Sequence, residues 1–137
     1  MPSKPVNVTS GAHYIQIVRQ RHDADCAVAV IAMFAGVSYE EALLAIGTPA
    51  VLTSGVQLRV VRTACRRLKC PVVLRRHIDL ISDTGILVIS CDTWPLDHLV
   101  ILKEGIIVDP DNTVWDVDTY LEVYRAKVSL LLRRKDS

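Results

Sequence analysis

Cys26 is the residue of this sequence that is best placed to act as a nucleophile. It follows the densely polar segment 19–25 and opens an apolar run that ends at Gly36. If this run is a helix, the free N–H groups and partial positive charge at its start favour the thiolate, which is the nucleophilic form of cysteine. Most free cysteines are small buried side chains, but a position at a helix start favours reactivity.

His98 is the candidate base for this nucleophile, because a reactive thiol needs a base and the base needs an orienting group. His98 opens a predicted strand, and Asp109 ends the next one. In a hairpin, a two-residue loop at 103–104 would pair His98 with Asp109, whereas a loop at 104–105 would pair it with Asp111. Opposed side chains share a face with Cβ atoms about 5 Å apart, so both registers predict a His–Asp pair.

The residues around Cys26 supply the rest of a candidate site. Gln20 lies six residues before Cys26, and its amide could donate a hydrogen bond to an oxyanion beside the backbone N–H of Cys26. Asp25 is well placed as the N-cap of the helix. We expect His22, Asp25 and Ala27 to line a substrate cleft.

These segments resemble a known family. The stretch 20–36, QRHDADCAVAVIAMFAG, resembles the active-site segment of the bacteriocin-processing (double-glycine leader) cysteine peptidases, which have a papain-like fold. The family pattern is a Gln, six residues to an acidic-Cys-Gly helix start, then an Ala-Met-rich stretch ending in Gly. The run HLVIL from His98 resembles its His-aromatic-Val-Val strand, and Asp109-Pro110 resembles its later Asp-Pro. Order and rough spacing agree over about residues 16–110.

The resemblance implies a peptidase that acts on a peptide or protein substrate through a thioester. Cys26 would be the nucleophile, His98 the general base, Asp109 its orienter and Gln20 the oxyanion-hole donor. This chain has Ala27 where the family usually has Gly, and Leu in place of the aromatic residue after the histidine. Two alternatives stay open: an amidase, deamidase or acyl transferase with the same site, and a papain-like binding module without catalysis.

The predicted elements separate into helices followed by strands. A buried helix starts at Cys26, the box Ser38-Tyr-Glu-Glu41 caps a second one to about Ile46, and a third follows Thr53-Ser54 to about Lys69. Strands are predicted at 72–74, 86–91, 99–102, 106–108 and 128–132, with a short helix at 116–124. This order predicts an α+β fold with a C-terminal antiparallel sheet, which the resemblance makes papain-like.

Composition limits the class of protein. The chain has 137 residues, half of them hydrophobic and 23% charged, which predicts one ordered domain with residues 1–12 as a partly ordered lead-in. The longest apolar run, 27–35, is shorter than the ~18 residues of a membrane span. The start does not resemble a signal peptide, so we expect a cytoplasmic protein with no exporter segment of its own.

Four cysteines at irregular spacing do not predict a disulfide scaffold. Cys65 and Cys70 lie five residues apart without a second pair at metal-ligand spacing, so we predict no metal and no cofactor. A metal site of Cys26, Cys91 and His98 is conceivable but has no spacing motif. Cys65, Cys70 and Cys91 are interpreted as packing residues.

Charge is unevenly distributed, although the net charge is only +1. Residues 57–76 carry seven Lys or Arg and no acid, whereas residues 77–122 carry ten acids and one Lys. The basic stripe of the third helix consists of Arg59, Arg62, Arg66 and Lys69. A solvated helix face is the default interpretation, and nucleic acid is unlikely because no aromatic side chains interleave with the stripe. The stripe could also meet the acidic half of a second copy in a homodimer.

Overall fold

A computed structural model of the chain describes residues 26–47, 58–94 and 97–135. In chain order, these residues form α1 (Cys26–Ala35), α2 (Tyr39–Ile46), α3 (Leu58–Arg67), β1 (Val72–Arg75), β2 (Thr84–Ser90), β3 (His98–Lys103), β4 (Ile106–Asp109), β5 (Thr113–Asp116), α4 (Val117–Tyr124) and β6 (Lys127–Arg134). Three helices come first and the strands follow, so the predicted α+β class is confirmed.

The strands form one antiparallel sheet in the order β1-β6-β2-β3-β4-β5. The central strand β2 is buried from residue 85 to residue 89. Such a continuous apolar run is typical of a strand that is covered on both faces. Strand β6 lies between β1 and β2, so it joins the first strand of the sheet to the second.

Alternate residues of the strands contribute to two separate cores. On the helix side, Ile86 and Ile101 pack against α1, α2 and α3. On the opposite side, Leu87 and Val100 pack against α4 and a group of aromatic rings. The two-residue alternation of side chains along each strand accounts for this division.

The helices form for reasons that are visible in their residues. Helix α1 is apolar all round, and its residues 27–33 are all buried, which is the position that such a helix requires. The predicted capping box of α2 is confirmed: Ser38 Oγ accepts from Glu41 N at 3.0 Å, and Glu41 Oε1 accepts from Ser38 N at 3.1 Å. In α3, Val61 and Cys65 are buried while the predicted basic stripe is exposed.

The sequence interpretation missed one strand and misplaced one helix end. Strand β5 follows the turn 110–112 and has only four residues, so its period-two signal is too short to detect. Helix α3 ends at Arg67 and not near Lys69, because Lys69 adopts a left-handed backbone with φ 61°. The start predicted for that helix, after Thr53-Ser54, and the predicted lead-in lie outside the described residues.

Within the described residues, no single helix is long and apolar enough to cross a membrane. Helices α1 and α2 would reach that length only together, and the break between them is bent by 112°.

Candidate active site

The hairpin of β3 and β4 brings His98 and Asp109 to the same face of the sheet. Both residues of its turn, 104–105, have positive φ, at 47° and 88°, which is the two-residue loop geometry that suits the twist of paired strands. Lys103 pairs with Ile106. The observed register is therefore the one predicted for a loop at 104–105.

From this register, the sequence predicts that His98 pairs with Asp111, yet it is Asp109 that contacts His98. Continued beyond the end of β4, the register would set Asp111 opposite His98. However, the chain turns at residues 110–112, and the Asp111 carboxylate accepts from Thr113 N at 3.1 Å within that turn. Asp109 lies diagonally across from His98, a distance that a long side chain can span.

His98 Nε2 and Asp109 Oδ2 form a hydrogen bond of 3.2 Å. The His98 side chain is 24% exposed and that of Asp109 is 6% exposed. Because Nε2 faces the carboxylate, Nδ1 is the ring nitrogen that remains for another partner. The pair is thus sheltered from water on the Asp109 side and open on the His98 side.

Asp109 receives two further hydrogen bonds. Its Oδ2 accepts from the hydroxyl of Tyr120 at 2.7 Å, and its Oδ1 accepts from the backbone N–H of Asp111 at 2.9 Å. Burial on its own would raise the pKa of Asp109, but the hydrogen bonds from His98, Tyr120 and Asp111 outweigh burial and lower it. Asp109 is therefore held as a carboxylate.

Cys26 is the first residue of α1, is half-buried, and lies close enough to His98 to help raise the pKa of the imidazole. Burial disfavours the imidazolium of His98, yet its interactions with Asp109 and Cys26 outweigh burial and raise its pKa to about 10. Helix α1, which begins at Cys26, packs against β3, which begins at His98. The structure therefore brings Cys26, His98 and Asp109 together in one chain of contacts.

The remaining predicted site residues have different positions. Gln20, His22 and Asp25 lie outside the described residues, as does the N-cap role predicted for Asp25. Ala27 is only 2% exposed and packs in the helix-side core. Its place in a substrate cleft stays a prediction.

Sequence reasoning missed the aromatic residues that surround His98 and Asp109. Trp94 meets the His98 ring edge-on, with centroids 5.6 Å apart. Tyr120 contacts Asp109 through its hydroxyl. Its ring packs edge-on against that of Trp115, with centroids 5.4 Å apart. The spacing of residues 117, 120 and 124 predicts a buried face of α4, but it does not predict which polar atom the Tyr120 hydroxyl meets.

The other three cysteines occupy packing positions. Burial, together with the neighbouring Cys70, raises the pKa of the Cys65 thiol to about 12. The half-buried Cys91 donates from Sγ to the backbone carbonyl of Tyr124 at 3.2 Å. All four cysteines are free, and the described residues contain no group of three or more His, Cys, Asp or Glu that could hold a metal ion.

A cavity of about 280 Å³ lies away from this site. It is lined by Met33 and Phe34 at the C-terminal end of α1, and by Asp83 and Arg134 among others. Cys26 is at the other end of the same ten-residue helix, about 10–12 Å from Met33 and Phe34 at 1.5 Å per residue. The cavity does not contribute to the chemistry of Cys26.

Comparison with known proteins assigns no family, since the sequence matches no protein-family model and no curated protein is significantly similar to it. The chemistry must be argued from the three residues themselves. A thiol at a helix start, an imidazole in contact with it and a buried carboxylate behind the imidazole form the arrangement of nucleophile, base and orienting group.

Proposed function

We propose that this protein is a cysteine peptidase with a papain-like fold, similar to the double-glycine leader peptidases. The observation that carries the proposal is the contact chain from Cys26 through His98 to Asp109. Three features support it further: the helix-first order of elements, the start of α1 at Cys26 and the position of His98 at the start of a strand. Each of these agrees with the segments that carry the resemblance.

In the proposed reaction, the attacking form of the site is a Cys26 thiolate beside a His98 imidazolium. The raised pKa of His98, about 10, keeps the ring protonated at neutral pH. Thiolate sulfur attacks the carbonyl carbon of a peptide bond, and the carbonyl electrons move onto oxygen. When the tetrahedral intermediate collapses, the C–N bond breaks and His98 gives its proton to the departing amine.

Water completes the cycle. The neutral His98 takes a proton from water, the resulting hydroxide attacks the thioester, and the C–S bond breaks to release the acid and the thiolate. Asp109 stays ionised throughout and holds Nε2, which fixes the tautomer and orientation of the ring. No atom or electron beyond those of substrate and water is needed.

The oxyanion formed in each step needs donors. Backbone N–H groups at the start of α1 point in the direction that stabilises an anion at Cys26. The side chain of Gln20 is the second donor in this proposal, and its role rests on the resemblance. Since the reaction needs a free thiol, we expect the protein to work in a reducing compartment such as the cytoplasm.

The direct test is to incubate the protein with a synthetic peptide library that includes Gly-Gly sequences and to identify the products by mass spectrometry. New peptide ends are expected with the wild type and none with Cys26→Ala or His98→Ala. Cys91→Ala is the matched control, since it removes another half-buried thiol and should retain cleavage. The control therefore separates loss of the nucleophile from loss of any thiol.

The same products distinguish the alternatives, because other nucleophiles can resolve the same thioester. Conversion of side-chain amides to acids would identify a deamidase or amidase, and peptides joined to an added amine would identify a transferase. Cys26-independent binding without any product would identify a binding module. Each of these three results would contradict the peptidase proposal.

A further inference from the structure

We propose that Tyr120 is a positioning residue of this site: it fixes the Asp109 carboxylate in the orientation from which that carboxylate holds His98 toward Cys26. The inference rests on the proposed function and deepens it. Tyr120 is not a catalytic residue in this account, since its hydroxyl contacts Asp109 and not the thiol.

Both oxygens of the Asp109 carboxylate accept hydrogen bonds. Oδ2 of Asp109 faces both the Tyr120 hydroxyl at 2.7 Å and His98 Nε2 at 3.2 Å, while Oδ1 faces the N–H of Asp111 at 2.9 Å. Donors at both oxygens prevent rotation of the carboxylate group. Without the hydroxyl, only the N–H of Asp111 and the ring that must itself be oriented would hold the group.

Tyr120 is held in place by close packing. Its side chain is 1% exposed, and its ring is 5.4 Å from that of Trp115 and 4.8 Å from that of Tyr124. Helix α4, which carries it, is N-capped by the Asp116 side chain. The hydroxyl is therefore placed by packing and does not depend on Asp109 for its position.

The hydrogen bond between Tyr120 and Asp109 runs from the hydroxyl to the carboxylate. Burial and the nearby Asp109 charge raise the pKa of Tyr120 above its ordinary value. The phenol thus stays protonated and donates to a carboxylate that can only accept. A donor of this kind stabilises the charged form of Asp109, which is the form that holds an imidazolium.

Tyr120→Phe is the substitution that tests this role, because it removes the hydroxyl and keeps the ring. The measured quantity is the rate of Cys26 alkylation by iodoacetamide from pH 4 to pH 9, resolved by peptide mass spectrometry. We expect a rate about tenfold lower near pH 6, the usual scale for losing one hydrogen bond to a charged group. The pH of half-maximal rate should rise, because a poorly oriented imidazolium stabilises the thiolate less.

Tyr124→Phe is the matched control, since it removes a hydroxyl from the same helix and aromatic cluster. It should leave the rate and its pH profile unchanged, and both variants should unfold within a few degrees of the wild type. Equal profiles for wild type and Tyr120→Phe would overturn the positioning role. An equal loss in both variants would overturn it as well, since it would indicate general packing.

The outcome is distinguishable from failure of the proposed function. If wild-type Cys26 reacts as slowly as the buried cysteines, the thiolate–imidazolium pair itself is wrong. If the wild type reacts fast and Tyr120→Phe does not differ from it, the pair stands and only the role of Tyr120 is wrong.

Discussion

His98 is the side chain that joins the two halves of the candidate site, because it touches both the thiol on α1 and the carboxylate on β4. That the partners of His98 are a cysteine and an aspartate could be predicted from the sequence. The position of His98 and Asp109 on one face of the sheet could be predicted as well. The choice between Asp109 and Asp111 could not, because it depends on where β4 ends. The hydrogen bond from the Tyr120 hydroxyl to Asp109 could not be predicted either, because it depends on how α4 packs against the sheet.

The raised pKa of His98 makes part of the folding stability depend on pH. In the folded protein this pKa is about 10, whereas the ordinary value is 6.5. The unfolded chain therefore loses the His98 proton first as the pH rises, while the native site keeps it. By linkage, the stabilisation is complete below about pH 6.5 and declines as the pH rises toward about 10.

This effect can be measured by urea unfolding of the wild type and His98→Gln at pH 6, 7, 8 and 9. We expect the difference in free energy of unfolding between the two proteins to shrink steadily over this range. The carboxylate acts in the opposite direction: the lowered pKa of Asp109 means that its contribution is lost only on acidification below its ordinary value of 3.8. A difference that stays constant from pH 6 to pH 9 would contradict the raised pKa.

At the level of elements, β2 lies between β6 and β3, the strand that begins at His98. Most elements could be predicted because their signals are local: the capping box of α2 and the all-apolar run of α1 both give the observed starts. Strand β5 could not, because its four residues are defined by pairing with β4 and not by their own pattern. Pairing partners are distant in sequence, so local propensity does not specify them.

Gly85 in β2 marks a close approach of two strands. A Cβ placed there would lie 2.3 Å from the backbone carbonyl oxygen of Leu132 in β6. We expect Gly85→Ala to destabilise the protein by about 1–3 kcal/mol, the usual cost of overpacking, because the clash is with backbone. The control Thr84→Ala, exposed on the same strand, should change the free energy by less than about 0.5 kcal/mol.

Urea unfolding measures both variants. Equal free energies of unfolding for Gly85→Ala and the wild type would contradict the close approach of β2 to the Leu132 backbone in β6.

For the molecule as a whole, the folded chain increases a charge separation that the sequence shows only in part. The basic segment 57–76 contains α3 and β1, and β6 pairs with β1 so that Val72 lies opposite Arg134. The C-terminal residues 133–135, all basic, thereby join the same edge of the sheet. That addition could not be predicted, because it follows from the return of β6 and not from neighbouring residues.

The opposite edge carries four acids, one of which is Asp109 of the candidate site. Strands β4 and β5 and helix α4 contribute Asp109, Asp116, Asp118 and Glu122, and β5 ends the sheet on that side. The basic stripe of α3 is exposed to solvent and shares no residue with the contact chain of Cys26, His98 and Asp109. Substitutions on the stripe should leave the chemistry of Cys26 unchanged.

The proposed function depends on a reactive thiolate–imidazolium pair formed by Cys26 and His98. The measurement that tests it most directly is the rate of iodoacetamide alkylation at each of the four cysteines of the native protein, near pH 6, resolved by mass spectrometry. We expect Cys26 to react at least ten times faster than Cys65, Cys70 or Cys91, and His98→Ala to abolish the difference. Slow and equal alkylation of all four cysteines in the wild type would contradict the account.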